Sequence, residues 1–262
     1  MPAIGLKRER IPMKVIVIKC GGSVIDKLTD GFYESLAALK KDGYSFVFVH
    51  GGGPDINEML EKLEVPVQFS GGLRKTSNQT LEIAELVLAG KTNRKLVHQL
   101  QSRGFQSVGL NGSDLSILEA DYIDQETLGE VGIIQKVDTT LFDLILSAGI
   151  YPVLTPISIT NKGEKLNVNA DMVAGAVAAS LQAELCIFIT DVEGVRHGTK
   201  ILKQLSELEI NHLIEMGIIN GGMIPKVKAA VQAKHQGAEK ILITSGVANF
   251  YADDKWKGTL IG

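Results

Sequence analysis

The segment KVIVIKCGG at residues 14–22 decides the fold, because it joins a buried strand directly to a glycine turn. Val15 to Ile18 is an unbroken aliphatic run, far shorter than the ~20 apolar residues that a membrane helix requires. Such a run reads as a strand buried on both faces, as in a parallel sheet. It delivers Lys19, Cys20 and then Gly21-Gly22. The pattern recurs twice downstream. Ser45 to Val49 leads into His50-Gly51-Gly52-Gly53-Pro54, and Leu185 to Thr190 leads into Asp191-Val192-Glu193-Gly194-Val195.

Stretches of helical period separate these runs. From Gly31 to Lys41, Phe32, Leu36 and Leu39 form one apolar stripe, and Gly43 closes it as a left-handed C-terminal residue. Further helices are expected from near Asp55, over Ser77 to Arg103 with a bend near Gly90, and over Leu141 to Ala148. Others are expected from Asp171 to about Gln182, over Ser206 to Met216 and over Ile224 to Gln236. Short strands are expected at Gln106 to Leu110, Leu118 to Ala120, Gly132 to Val137, Ile150 to Leu154, Lys240 to Thr244 and near Thr259, with a hairpin over Ile157 to Leu166. Strand and helix in alternation predict an α/β fold around a mainly parallel central sheet. No linker rich in Pro or Ser divides the chain. Two lobes are therefore expected to share one continuous sheet, with a boundary near Asn161 to Lys165.

Composition narrows the function classes. The 262 residues carry 27 basic and 30 acidic side chains, a net charge of -3. That leaves no basic surplus for a nucleic-acid backbone or an anionic membrane. Hydrophobic residues make up 45% and charged ones 22%, a balance that folds as a globule rather than remaining disordered. Two cysteines, Cys20 and Cys186, are too few for a disulfide framework and favour a reducing compartment. Met1 to Pro12 has charges at Lys7, Arg8, Glu9 and Arg10 but no apolar core of signal-peptide length. A cytoplasmic protein is expected.

The glycine turns carry the chemistry. Ligands bind at the carboxyl ends of parallel strands, and backbone N–H groups in a glycine turn converge on an anion because no Cβ blocks it. The alternative for each is a plain strand-to-helix turn. Neither common nucleotide fingerprint fits: Gly90-Lys91-Thr92 resembles a P-loop tail, but Glu85 stands where its first glycine belongs, and no G-x-G-x-x-G spacing occurs. A dehydrogenase is thereby disfavoured. Lys19, at the end of an aliphatic strand, aims a cation at the glycine turn or else reaches solvent. Lys226 follows Pro225 at a helix opening, the unfavourable end for a cation unless an anion is bound there too. Asp171 opens the alanine-rich helix as its cap or as a carboxylate aligning the two lysines.

These motifs stand in one order: Lys19-Cys20-Gly21-Gly22, His50-Gly51-Gly52-Gly53, Gly72-Leu73-Arg74, Asn167-Val168-Asn169-Ala170-Asp171, Thr190 to Val195, and Gly222-Met223-Ile224-Pro225-Lys226. The ordered set resembles the amino acid kinase family over essentially the whole chain, from Lys14 to Thr259. Within that family it looks like the members that phosphorylate N-acetyl-L-glutamate in the second step of arginine biosynthesis. The resemblance implies a three-layer α-β-α sandwich, with residues 1–163 binding acetylglutamate and dimerising and residues 164–262 binding ATP. By motif it implies that Lys19 and Lys226 stabilise the phosphoryl group in flight and that Asp171 orients both. Gly52, Gly53, Arg74 and Asn167 would hold the amino-acid substrate, with Gly21 and Gly22 on the phosphates. Asp191, Val192, Glu193, Gly194, Val195 and Arg196, with Ile218, Ile219 and Asn220, would form the nucleotide pocket.

The residues agree with such a reaction. A carboxylate acceptor is already ionised at neutral pH, so no general base is required, and His50 reads as a strand-end structural residue. Catalysis reduces to alignment and charge stabilisation around an in-line transfer. Mg2+ would be held mainly by ATP phosphates and water, since the sequence has no carboxylate cluster for it. A planar guanidinium at Arg74 suits a carboxylate. Cys20 stands where an aliphatic residue is expected, and alkylation blocked by ATP is one corollary; an unreactive thiol would mean that it points into the core. Family members inhibited by arginine have a long N-terminal helix, and only about a dozen residues precede the first strand here, short for a stable helix. A homodimer insensitive to arginine is expected. Rival readings are a kinase for another acidic amino acid, such as a carrier-linked aminoadipate, and a catalytically silent sensor on the same fold.

Overall fold

The computed structural model describes residues 13–262, so the expectations placed on Met1 to Pro12 lie outside the described residues. The opening aliphatic run forms β1 (Lys14–Cys20). It is followed by α1 (Asp30–Lys41), β2 (Tyr44–His50) and α2 (Gly53–Lys62). The long helical stretch is three consecutive pieces: α3 (Asn78–Glu85), a π-helical segment at Leu86–Thr92, and α4 (Asn93–Ser102). The bend expected near Gly90 thus falls in the π-helical turns. Next come β3 (Ser107–Asn111), β4 (Leu118–Tyr122), β5 (Val131–Val137), α5 (Thr140–Ser147) and β6 (Tyr151–Thr155). β7 (Ile157–Ile159) and β8 (Lys165–Val168) are the expected hairpin. The second half supplies α6 (Ala170–Leu181), β9 (Leu185–Thr190), β10 (Gln204–Leu205), α7 (Glu207–Glu215), α8 (Met223–His235), β11 (Ile241–Ser245) and β12 (Thr259–Ile261).

Eight strands form the central sheet of an α-β-α sandwich, in the order β10-β12-β11-β9-β1-β2-β6-β3. The six from β11 to β3 are parallel, whereas β12, one strand in from the far edge, runs antiparallel to β11 and parallel to the edge strand β10. β1 lies at the junction of the two halves: Lys19 is in register with Val49 of β2 on one side and Phe188 of β9 on the other. Its run is buried on both faces, with Ile16, Val17 and Ile18 fully inaccessible. A second, smaller sheet closes β4, β5, β7 and β8 into a ring. The sequence marks these as strands but not their separation from the main sheet.

Two close approaches fix the frame. α6 lies against α8 so tightly that a Cβ on Gly175 would stand 2.4 Å from the Ala233 carbonyl oxygen. This is why the helix is built from alanine and glycine. The first two glycine turns also touch: a Cβ on Gly22 would lie 2.7 Å from Gly52 Cα. The Gly51 amide donates to the Cys20 carbonyl at 3.0 Å, holding the two turns together.

Candidate active site

The carboxyl ends of β1 and β2, the start of α6 and the Phe69–Ser70/Leu73–Arg74 hairpin surround a crevice of about 250 Å³. Lys19, Gly21, Gly22, Gly52, Gly53, Arg74, Asn167 and Asp171 all line it. Eight of the expected site residues, from four separate stretches of sequence, thus share one space. Gly53 has no heavy atom within 4 Å of where a Cβ would stand, so the turn leaves room for a ligand there.

Lys19 and Asp171 form the charged end of this crevice. Lys19 Nζ lies 2.8 Å from Asp171 Oδ1, with both side chains about one-sixth exposed or less, at 15% and 16%. The oxygen makes no hydrogen bond of good geometry, so the contact is charge to charge and leaves acceptor capacity on Oδ1. Asp171 is not the helix cap. Asn169 takes that position, its Oδ1 accepting from the Asp171 amide at 2.7 Å. The cap role left open in the sequence therefore belongs to Asn169, and the Asp171 carboxylate is free to face Lys19.

Arg74 forms the opposite kind of site. It is buried, at 9% exposure, and its Nη2 donates to Asn57 Oδ1 at 2.5 Å. Its guanidinium carbon stands 4.8 Å from the centre of the Phe69 ring, and Nη1 is buried with no partner. Burial pulls its pKa below the usual guanidinium value. Asn57 and Phe69 are missed by the sequence reading. The hairpin that brings Arg74 back onto α2 is what makes them neighbours. Asn167 donates to Thr76 Oγ1 at 3.1 Å and lines the crevice from the end of β8.

The nucleotide residues are arranged less uniformly. Lys226 Nζ lies 3.0 Å from Asp191 and donates to the Gly222 carbonyl at 3.1 Å, and it does not line the crevice. Asp171 is therefore paired with one lysine rather than both. The lysine holds the Asp191 carboxyl below its ordinary range. Val192 is half-buried, and its amide is fixed by Thr190 Oγ1 at 3.2 Å. Gly194 has φ +152°, and its turn packs on Thr259 and Ile201. Val195 and Ile219 are core residues at 0% and 1% exposure, so they can shape a pocket only from behind. Arg196 pairs with Glu193 at 2.7 Å on the surface, Ile218 is half-buried, and Asn220 is exposed. A second cavity of about 770 Å³ lies along β11 and β12 and takes in Glu193 but none of the other expected nucleotide residues.

Two further readings resolve here. His50 is fully buried, its Nδ1 3.1 Å from the Gly51 carbonyl and its Nε2 3.2 Å from Thr155 Oγ1. Burial lowers its pKa to about 4, so it is a neutral structural group. Cys20 is also fully buried, and burial pushes its thiol up to about 12. The alkylation corollary is thereby corrected: the side chain points into the core and is not poised as a thiolate.

Known proteins resemble this chain over most of its length. The sequence model described as the amino acid kinase family matches residues 14–245. The chain belongs to the amino acid kinase family. Acetylglutamate kinase of Bacillus subtilis is 44% identical over 248 residues, 95% of this chain and 96% of that protein. Acetylglutamate kinase of Halalkalibacterium halodurans is 46% identical over 95% of this chain and 94% of its own. Among solved structures, one from Streptococcus mutans UA159 aligns with TM-score 0.81 and 30% identity, covering 95% of this chain and 98% of that one.

Proposed function

We propose that this chain transfers the γ-phosphoryl group of ATP to the side-chain carboxylate of N-acetyl-L-glutamate, giving N-acetylglutamyl 5-phosphate for arginine biosynthesis. The observation that carries this reading is a single crevice holding a buried, uncompensated cation at Arg74 together with Lys19, Asp171 and two glycine turns. Arg74 takes the acceptor's α-carboxylate through its unpartnered Nη1, and Asn167 takes a neighbouring polar atom. That leaves the side-chain carboxylate directed at the glycine turns.

A carboxylate oxygen of the acceptor attacks the γ-phosphorus, and the bond to the β,γ-bridging oxygen breaks to release ADP. No proton has to move, because the attacking group is ionised at neutral pH. The work is charge stabilisation by Lys19 and the amides of Gly21 and Gly22, while the turn at Gly52 and Gly53 holds the acceptor. Asp171 fixes Lys19, and Lys226 reaches the transferring group by leaving Asp191. The nucleotide lies along Asp191 to Arg196 and Ile218 to Asn220, in the half contributed by residues 164–262. Among the described residues no group of three or more His, Cys, Asp or Glu converges, so Mg2+ arrives mainly coordinated by phosphate oxygens and water. The chain acts as a cytoplasmic homodimer through residues 1–163, where the edge strand β3 and its exposed Val108 are available.

The test traps the acyl phosphate with hydroxylamine and compares N-acetylglutamate, glutamate, aspartate and aminoadipate as acceptors. N-acetylglutamate should be used best. Preference for a free amino acid would move the activity to another acceptor within the family.

A further inference from the structure

Arg74 is a buried cation surrounded by neutral groups. Its Nη2 meets the amide oxygen of Asn57 at 2.5 Å and the Gly53 carbonyl at 3.4 Å, and the Phe69 ring covers one face at 4.8 Å. Among the described residues, no carboxylate lies within ion-pair distance of it. The nearby acids of α2 are already engaged: Asp55 and Glu58 both pair with Lys91, at 2.8 and 3.3 Å. A buried charge without a counter-ion is strongly unfavourable, so a fold that retains one has a reason for it. Aspartate has nearly the shape of asparagine, and at position 57 it would grip the guanidinium and neutralise it. Asparagine orients the fork but leaves the charge intact, and an aromatic face attracts a cation without cancelling it.

We propose that Asn57 is a positioning and specificity-determining residue: by holding Arg74 with a neutral acceptor, it reserves the guanidinium's charge for the α-carboxylate of the acceptor substrate. The inference rests on the functional reading above. Asn57 acts through Arg74 and not on the reacting atoms. Its replacement therefore alters acceptor binding and leaves the phosphoryl-transfer step and the nucleotide site largely alone.

The experiment compares wild type, Asn57→Asp, Asn57→Ala, Arg74→Met and the Asn57→Asp/Arg74→Met double variant by steady-state kinetics. It also measures the rise in Tm on adding N-acetylglutamate, with far-UV circular dichroism to confirm folding. Asn57→Asp should raise the N-acetylglutamate KM tenfold to a hundredfold, on the order expected for losing a hydrogen bond to a charged group. The ATP KM and kcat should stay within about twofold. Asn57→Ala should raise the same KM less, and the ligand-induced rise in Tm should shrink most in Asn57→Asp. In the Arg74→Met background, adding Asn57→Asp should change the KM by less than about twofold, because the two residues form one unit. Equal effects on both substrates, or an Asn57→Asp penalty that persists without Arg74, would overturn the inference. A wild type that forms no hydroxamate from N-acetylglutamate removes the functional reading itself. An active wild type indistinguishable from Asn57→Asp removes the inference alone.

Discussion

Lys226 sits in the first turn of α8, where the helix dipole disfavours a cation. Its amine is held by Asp191 and by the Gly222 carbonyl, a local arrangement that compensates the misplaced charge. Bound nucleotide phosphates would be a stronger partner than one half-exposed carboxylate, so the ion pair is weak enough to exchange. Lys226→Ala should fold normally and lower kcat on the order of a hundredfold, as loss of a transition-state donor does. The hydroxamate assay at saturating substrates measures it, and a folded variant with near-normal kcat would remove Lys226 from the reaction. Residues of this kind were legible because each contradicts its local setting: a lysine ending an aliphatic strand, a lysine at a helix opening. Asn57 contradicts nothing on α2 and becomes meaningful only when the hairpin 17 residues later returns Arg74 to it. Asn169 has the side chain of a good cap, but the sequence reading offered that role only to Asp171, two residues on, which satisfies the same preference.

At the level of elements, α6 carries Asp171 at its start and α8 carries Lys226, and their contact sets how those two residues stand relative to the sheet. Gly175 is a point of close approach, its hypothetical Cβ meeting backbone atoms of Ala233 rather than a movable side chain. Gly175→Ala should therefore push the helices apart and destabilise the protein by about 1–3 kcal/mol, the usual range for overpacking. Urea unfolding followed by circular dichroism measures this, and unchanged stability would mean that the helices separate freely. The helices and the parallel strands were readable because their periods differ and each apolar run is bounded by glycine. The reversal of β12 was not, since a strand of three residues is too short to show whether it runs with or against its neighbour. The π-helical segment was equally silent: its wider turns need no special residue type, and only Gly90 hinted at a bend. The four-strand ring escaped because β7 and β8 are three and four residues long, too short for alternation to assign them to a sheet.

For the molecule as a whole, His50 ties the site to the stability of the central sheet. It ends β2, carries the first glycine of the second turn on its Nδ1, and meets Thr155 of β6 and Asn93 of α4 through Nε2. Asn93 Nδ2 also donates to the Val153 carbonyl at 2.8 Å, so Nε2 is the acceptor and the neutral ring fits the network. A proton on Nε2 would face that amide donor inside the core. Burial is the larger cause of the lowered pKa, from 6.5 to about 4. The unfolded chain therefore binds a proton that the folded protein refuses whenever the pH lies between those values. Stability from this group is fully present above 6.5, falls as the pH drops and is gone below about 4. The whole effect amounts to about 3 kcal/mol, of which about 2 kcal/mol should be lost between pH 7 and pH 5. His50→Gln keeps a donor and an acceptor but cannot titrate, so its loss of stability between those two pH values should be smaller by that amount. Other titrating groups act alike in both proteins, and the single tryptophan, Trp256, reports unfolding in each. Equal losses in the two proteins would mean that acid enters the fold elsewhere, and that the glycine turns do not depend on a neutral imidazole beneath them.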